Sequence, residues 1–364
     1  MMEYFILIIL TFICSYLNNR LTNRTKTTCI IIILLYIVFL MGCRYRVGLD
    51  TLNYMEGYKD LPNFRNYELR NFIFYRYEPG YLIMCMICKE IGNDFFWLQI
   101  FQSIILNSCV IYFFYRYCKN PFLAILIYYY VVWTYFNTEI LRESIAISIF
   151  ILNYENLIKG KYLRYYLWTL LAICFHFSAI ILCLFPLCKN IKCNRYFFIT
   201  LLVLLFSLPI LNSTMNILGE DSIGARLKIY SSVSSELNLN WRLAALIKYM
   251  SIPAFLFIIS YCTHYRIKYM NFVLLQILCC IGLIAIPIIF ARFTNYTYLF
   301  VIVSCSEVIS SREIIAKIKL SLIVIILISQ LHYYYNMYPA WLPYHSIFAP
   351  VKDSKREILW NNSF

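Results

Sequence analysis

Twelve stretches of the chain are almost wholly apolar, near 3–17, 28–43, 79–91, 95–115, 121–137, 144–158, 165–188, 195–212, 243–262, 269–290, 293–310 and 319–336, with short charged links between them. A helix needs roughly 20 apolar residues to cross a bilayer, and most of these stretches approach that length. In hydrocarbon every backbone polar group must be satisfied within the protein, so spans are helices or closed barrels; unbroken apolar runs, without a two-residue alternation, exclude the barrel. The pattern therefore predicts an all-α, polytopic integral membrane helical bundle of about 10–12 transmembrane or re-entrant helices. It reads as a single multi-pass membrane domain over 1–364, with outer-face loops near 44–78 and 212–242. The first stretch, Tyr4 to Leu17, has neither a basic start nor a small-residue cleavage site, so it is expected to be a retained helix.

Loop charge orients the bundle. The links Asn18–Thr27, Arg116–Asn120, Lys159–Arg164, Lys189–Arg195, Thr263–Lys268 and Ser311–Lys319 hold half of the 32 basic residues and, among the acids, only Glu313. Short basic loops face the cytoplasm. Two stretches resist a plain alternation: 79–91 is short and ends on Lys89 and Glu90, and 165–188 has basic links at both ends. If both are re-entrant, ten full spans follow with both termini outside. Twelve plain spans with one misplaced basic loop is the alternative. Both schemes put 44–78, 212–242 and the tail after Tyr338 on the outer face.

At 62% hydrophobic against 14% charged residues, the composition excludes a soluble domain. The net charge of +14 is spread over the cytoplasmic links, so topology accounts for it and nucleic acid is not a partner. Of the 15 cysteines most lie within apolar stretches, Cys85, Cys88, Cys109, Cys183, Cys279 and Cys280 among them, where a thiol acts as a small hydrophobe. Cys85 with Cys88, and Cys188 with Cys193, lack the second pair or histidines that a zinc pattern needs. No D-x-D, Walker A, G-x-G-x-x-G or H-E-x-x-H is present, which disfavours chemistry built on a nucleotide and a metal.

A few polar residues at membrane depth or at its boundary remain. Arg44-Tyr45-Arg46-Val47-Gly48-Leu49-Asp50 stands at the mouth of the second apolar stretch; it serves either as an interfacial anchor or, because two arginines cluster there, as an anion site. Glu139-Ile140-Leu141-Arg142-Glu143 joins one span to the next. Its acids suit a helix start, whereas Arg142 opposes the dipole and would be better tolerated facing an anion. His176, with Ser178 two residues on, is either a histidine bonded to a backbone carbonyl or a proton-exchanging group. Arg292 divides two apolar stretches and reads as a loop arginine; with Arg44, Arg46 and Arg142 it makes four planar donor forks on one face, a set suited to a diphosphate. Glu78-Pro79-Gly80-Tyr81 reads as a turn into a helix, with structure favoured over catalysis for Glu78.

Arg44-x-Arg46-x-Gly48-x-Asp50-x-x-x-Tyr54, Glu78-Pro79-Gly80-Tyr81, Leu141-Arg142 with Ala146, His176-x-Ser178-Ala179-Ile180 and Arg292 with Tyr296 follow one another in the order seen in the EpsG family, which the chain resembles over nearly its whole length. It departs from the common pattern at Leu49, Thr51 and Glu143, which bears on fine substrate contacts. That family is similar in architecture and pathway context to Wzy-type O-antigen and exopolysaccharide polymerases. The resemblance implies a membrane polymerase that joins undecaprenyl-diphosphate-linked oligosaccharide repeat units at the outer face of the cytoplasmic membrane; with no metal motif in the chain, neither metal nor cofactor is expected. It implies Arg44, Arg46, Arg142 and Arg292 on the diphosphate, and Asp50 or His176 on the acceptor hydroxyl, with Arg142 also in catalysis. Tyr54, Tyr81 and Tyr296 would stack on sugar rings, with Glu78 and Ser178 as further glycan contacts. The bilayer, and a flippase and chain-length regulator of the same pathway, are the implied partners. A flippase or transporter would use a similar arginine-lined cavity, but no internal repeat is visible; a ligase or O-acyltransferase on the same glycans is the other alternative.

Overall fold

The computed structural model describes residues 2–64, 77–188, 239–283 and 286–361. The expected span at 195–212, nearly all of the loop at 212–242 and Cys193 lie outside these residues. Among the described residues the protein is helical, and its only bridges pair Arg44 with Ser346 and Ser346 with Ala349. Five helices among the described residues are long and apolar enough to cross a membrane: Asn23–Gly42, Phe96–Tyr117, Arg242–Thr263, Pro287–Ser310 and Ala316–Trp341. The protein is a polytopic membrane helical bundle.

The chain forms two compact units, Met1–Cys183 with Tyr335–Phe364, and Leu184–Tyr334. In the first, α1 (Met2–Leu17) packs on α2 (Asn23–Gly42) and α6 (Pro121–Tyr128), and α2 lies along α5 (Phe96–Tyr117). Short α3 (Leu49–Lys59) is followed by α4 (Pro79–Ile91), which leans on α5 and on α9 (Tyr162–Phe175). A π-helical stretch, Tyr129–Trp133, joins α6 to α7 (Thr134–Thr138), and α8 (Leu141–Ile158) packs between α5 and α9.

Side-chain amides join the helices that meet at α5. Gln102 donates to Ser144 Oγ at 2.8 Å, and Asn107 donates to Asn137 Oδ1 at 2.9 Å while Asn137 donates to the carbonyl of Trp133 at 2.8 Å. All four side chains are fully buried. Where lipid is as apolar as the core, such hydrogen bonds hold helices together in place of a hydrophobic difference. Asn137→Ala takes an acceptor from Asn107 and a donor from the π stretch, so it is expected to lower stability by about 1–3 kcal/mol. A thermal midpoint in detergent unchanged from wild type would contradict this.

The second unit holds α10 (Phe185–Cys188), α11 (Leu239–Thr263), α12 (Met270–Gly282), α13 (Pro287–Ser310) and the larger part of α14 (Ala316–Trp341). Gln276 donates to the carbonyl of Tyr249 and accepts from Thr297, each at 3.0 Å, which joins α11, α12 and α13. The break expected at Arg292 falls earlier. Pro287 lacks an N–H and has φ already set for a helix start, so α13 begins there and Arg292 rides inside it. The stretch 165–188 is likewise broken: α9 ends at Phe175, His176 is extended, and a 3-10 helix runs over Phe177–Leu184. The tail expected after Tyr338 stays helical to Trp341 and ends in α15 (Ser354–Asn361).

Candidate functional site

The polar centre of the first unit forms where α3, α4, α8 and the end of α9 meet. Pro79 takes the first helical position of α4, leaving Glu78 extended just outside it. At Gly80 a Cβ would lie 2.9 Å from the Cys174 carbonyl and 3.0 Å from the Phe175 ring, so only glycine lets the first turn of α4 approach the end of α9 this closely. The approach brings the Glu78 carboxylate to the Phe177 backbone N–H at 3.3 Å. The same carboxylate forms an ion pair with Arg142, in the first turn of α8; the side chains are 17% and 11% exposed, enough to be reached from outside.

Tyrosines surround that pair. The Arg142 guanidinium carbon lies 5.1 Å from the Tyr77 ring, 5.9 Å from Tyr54 and 6.0 Å from Tyr81, all within cation–π reach. Tyr81 in turn meets Tyr77 edge-on at 5.4 Å and Tyr54 at 6.1 Å. His176, buried at the end of α9, has Nδ1 2.7 Å from Ser178 Oγ, and Ser178 N–H donates to the same nitrogen at 3.2 Å. A nitrogen that accepts from a backbone N–H keeps its lone pair, so the neutral ring carries its proton on Nε2.

The Arg44 to Asp50 segment forms a second constellation, joined to the first through α3. Arg44 is wholly buried, donates to the Met41 carbonyl, and has Nε and Nη2 without a hydrogen-bond partner among the described residues. Burial pushes its pKa down to about 10, with Tyr344, Tyr4 and Glu139 holding it up, so it remains a cation at neutral pH. Arg46 points elsewhere. With φ at 52°, it donates from Nε and Nη2 to the two carboxylate oxygens of Glu357 at 2.7 and 2.6 Å. Asp50 is exposed in the first turn of α3, and its N–H donates to Glu139 Oε2 at 2.9 Å.

Glu139, read from sequence only as a helix-start acid, is 6% exposed and gathers Asp50 N–H, the Thr138 hydroxyl at 3.0 Å and Trp341 Nε1 at 3.3 Å. Thr51 Oγ1 also donates to the Thr138 carbonyl at 2.9 Å. The corner between α7 and α8 thus fixes the start of α3, and α3 carries Tyr54 one turn on to Arg142.

Of the residues predicted from sequence, Arg142, Glu78, Tyr54 and Tyr81 come together, with His176 and Ser178 flanking the Phe177 N–H that Glu78 accepts. Arg44, Arg46 and Asp50 surround the start of α3. Arg292 and Tyr296 stand one turn apart on α13 in the second unit, where Tyr296 is fully buried. Tyr77, Glu139, Trp341 and Glu357 went unnoticed as site residues. Glu139 alone carried a local signal, an acid at a span junction; the others are joined to the site only by tertiary folding.

A family model described as the EpsG family matches residues 27–346. No curated protein and no solved structure matches the chain.

Proposed function

The chain belongs to the EpsG family, whose members are Wzy-like polysaccharide polymerases, and from that premise we propose that it joins oligosaccharide repeat units carried on undecaprenyl diphosphate at the outer face of the cytoplasmic membrane. The observation that carries this reading is the Arg142–Glu78 pair, partly exposed inside a ring of three tyrosines. A cation held by a carboxylate and flanked by aromatic faces suits a ligand that is anionic at one end and a sugar at the other.

In the proposed reaction an acceptor hydroxyl attacks the anomeric carbon of the growing chain. The new glycosidic C–O bond forms as the bond to the diphosphate breaks, and undecaprenyl diphosphate departs with the bonding pair. Arg142 stabilises the charge that builds on the leaving oxygens, taking the part that a metal plays in other transferases. Its fork reaches two phosphate oxygens at once. Arg46 is the further cation of the first unit assigned to the diphosphate. Arg44, closed in behind the segment, keeps its charge near the site while its guanidinium grips the Met41 carbonyl. The hydroxyl proton goes to Asp50 or, passed through the Ser178 hydroxyl, to the Nδ1 lone pair of His176. Tyr54 stacks on the sugar next to the diphosphate with the buried Tyr81 behind it, and Glu78 bonds sugar hydroxyls while it holds Arg142. A flippase delivers the substrate and a chain-length regulator acts on the product.

Purified protein in nanodiscs, supplied with synthetic undecaprenyl-diphosphate repeat units and neither nucleotide sugar nor divalent metal, is expected to build a ladder of lengthened glycans. Single repeat units persisting on the lipid would overturn the reading. Transfer to another acceptor without a ladder would make the protein a ligase instead.

A further inference from the structure

The Arg46 fork already holds an anion of the protein's own. Nε and Nη2 meet Oε1 and Oε2 of Glu357 at 2.7 and 2.6 Å, the parallel two-bond arrangement that a guanidinium also makes with a pair of phosphate oxygens. Glu357 is 311 residues away in the chain and lies beyond residue 346, where the family match ends.

The C-terminal segment is attached in two grades. Nearer the bundle it is tied by backbone bonds: Gly48 N–H to the Ala340 carbonyl at 2.9 Å, Tyr45 N–H to His345 at 2.7 Å, and Ile347 N–H to Cys43 at 2.9 Å. Helix α15 is held more by side chains. Arg356 donates to the carbonyls of Arg46 at 2.8 Å and Pro343 at 2.9 Å, and Glu357 contributes the ion pair. Ile358 and Lys355 are exposed, and the Arg46 and Glu357 side chains are 17% and 25% exposed, so a ligand can reach the pair from outside.

We propose that Glu357 is a built-in substitute anion, which occupies the Arg46 fork until a diphosphate displaces it, and that α15 loosens as the diphosphate binds. The two anions present the same oxygen pair to one fork, so they cannot share it. This rests on the assignment of Arg46 to the diphosphate made above, and adds that the site is covered from within by the chain's own C-terminal helix.

Hydrogen exchange over Ser354–Asn361, followed by mass spectrometry on the full chain in nanodiscs, tests it. Undecaprenyl diphosphate is expected to speed exchange of these amides about tenfold, as local opening replaces a held helix; an uncharged polyprenol should leave them unchanged. If inorganic pyrophosphate at millimolar concentration acts alike, the diphosphate alone displaces the carboxylate; if only the lipid acts, the lipid-borne form does. Glu357→Gln is expected to speed exchange without ligand, and Arg46→Ala to abolish the response. Exchange unmoved by both diphosphates, or Glu357→Gln with the wild-type rate, would overturn the proposal and leave the pair a fixed staple. The readout does not use polymerisation: a protein that builds glycan with an unresponsive α15 loses this inference alone, and one whose α15 responds but builds none loses only the polymerase reading.

Discussion

Arg142→Ala is expected to abolish glycan lengthening and at the same time to destabilise the protein, and a second substitution separates the two effects. Loss of one preorganised charge aimed at a leaving group typically costs about 10²–10³ in rate. Loss of one partner from a largely buried pair costs about 3–5 kcal/mol, because the other charge stays behind uncompensated. Glu78 would be that orphan, still accepting from the Phe177 N–H. In Arg142→Ala with Glu78→Gln the orphan is neutral, so the thermal midpoint should recover while activity stays lost. Arg142→Lys keeps the charge but not the fork, and should fall between. Full activity in Arg142→Ala, or recovered activity in the double variant, would remove Arg142 from the chemistry.

The apolar pattern was enough to identify a membrane bundle, because hydrocarbon permits little else for runs of this composition. It located breaks less well. Charge at Arg292 looked like a boundary, yet Pro287 set it: a missing N–H ends a helix, whereas an arginine inside a bundle can be accommodated. At 165–188 the basic links flagged an unusual segment, and the break came at His176, whose backbone leaves the helix as its ring closes on Ser178.

Residue type, more than residue spacing, singled out the residues that the fold brings together. Arg44 and Arg46 looked equivalent in sequence, two residues apart at one boundary. Their surroundings differ because Arg46 adopts a positive φ that turns it toward Glu357, while Arg44 continues inward to Met41. Nothing local to either arginine signals a partner more than 300 residues away. Arg142 stood out as a cation opposing a dipole and Glu78 as an acid before a proline, whereas Tyr54 and Tyr81 came with the family resemblance. Their meeting depends on the close approach of α4 to α9 at Gly80 and on the anchoring of α3 by Glu139.

That anchoring makes Gly48 the backbone position on which the site turns, and Gly48→Ala is expected to damage the protein more than its size suggests. Gly48 has φ at 99°, a conformation that residues with a Cβ rarely adopt, at a cost of about 1–3 kcal/mol. An added Cβ would also lie 2.5 Å from Thr138 Cβ and 3.1 Å from Glu139 Oε1, both in the corner that receives α3. Overpacking of this kind costs about 1–3 kcal/mol more. Gly160 is the control: its φ is also positive, at 67°, but no atom lies within 4 Å of an added Cβ, so Gly160→Ala carries the conformational cost alone. The Gly48 variant should therefore melt lower than the Gly160 variant. It should also lose activity, since any relief of the clash moves Asp50 off Glu139 and swings Tyr54 away from Arg142. Equal midpoints for the two variants would show that α3 is not held at this corner, and wild-type activity in Gly48→Ala would show that the tyrosine ring does not depend on it.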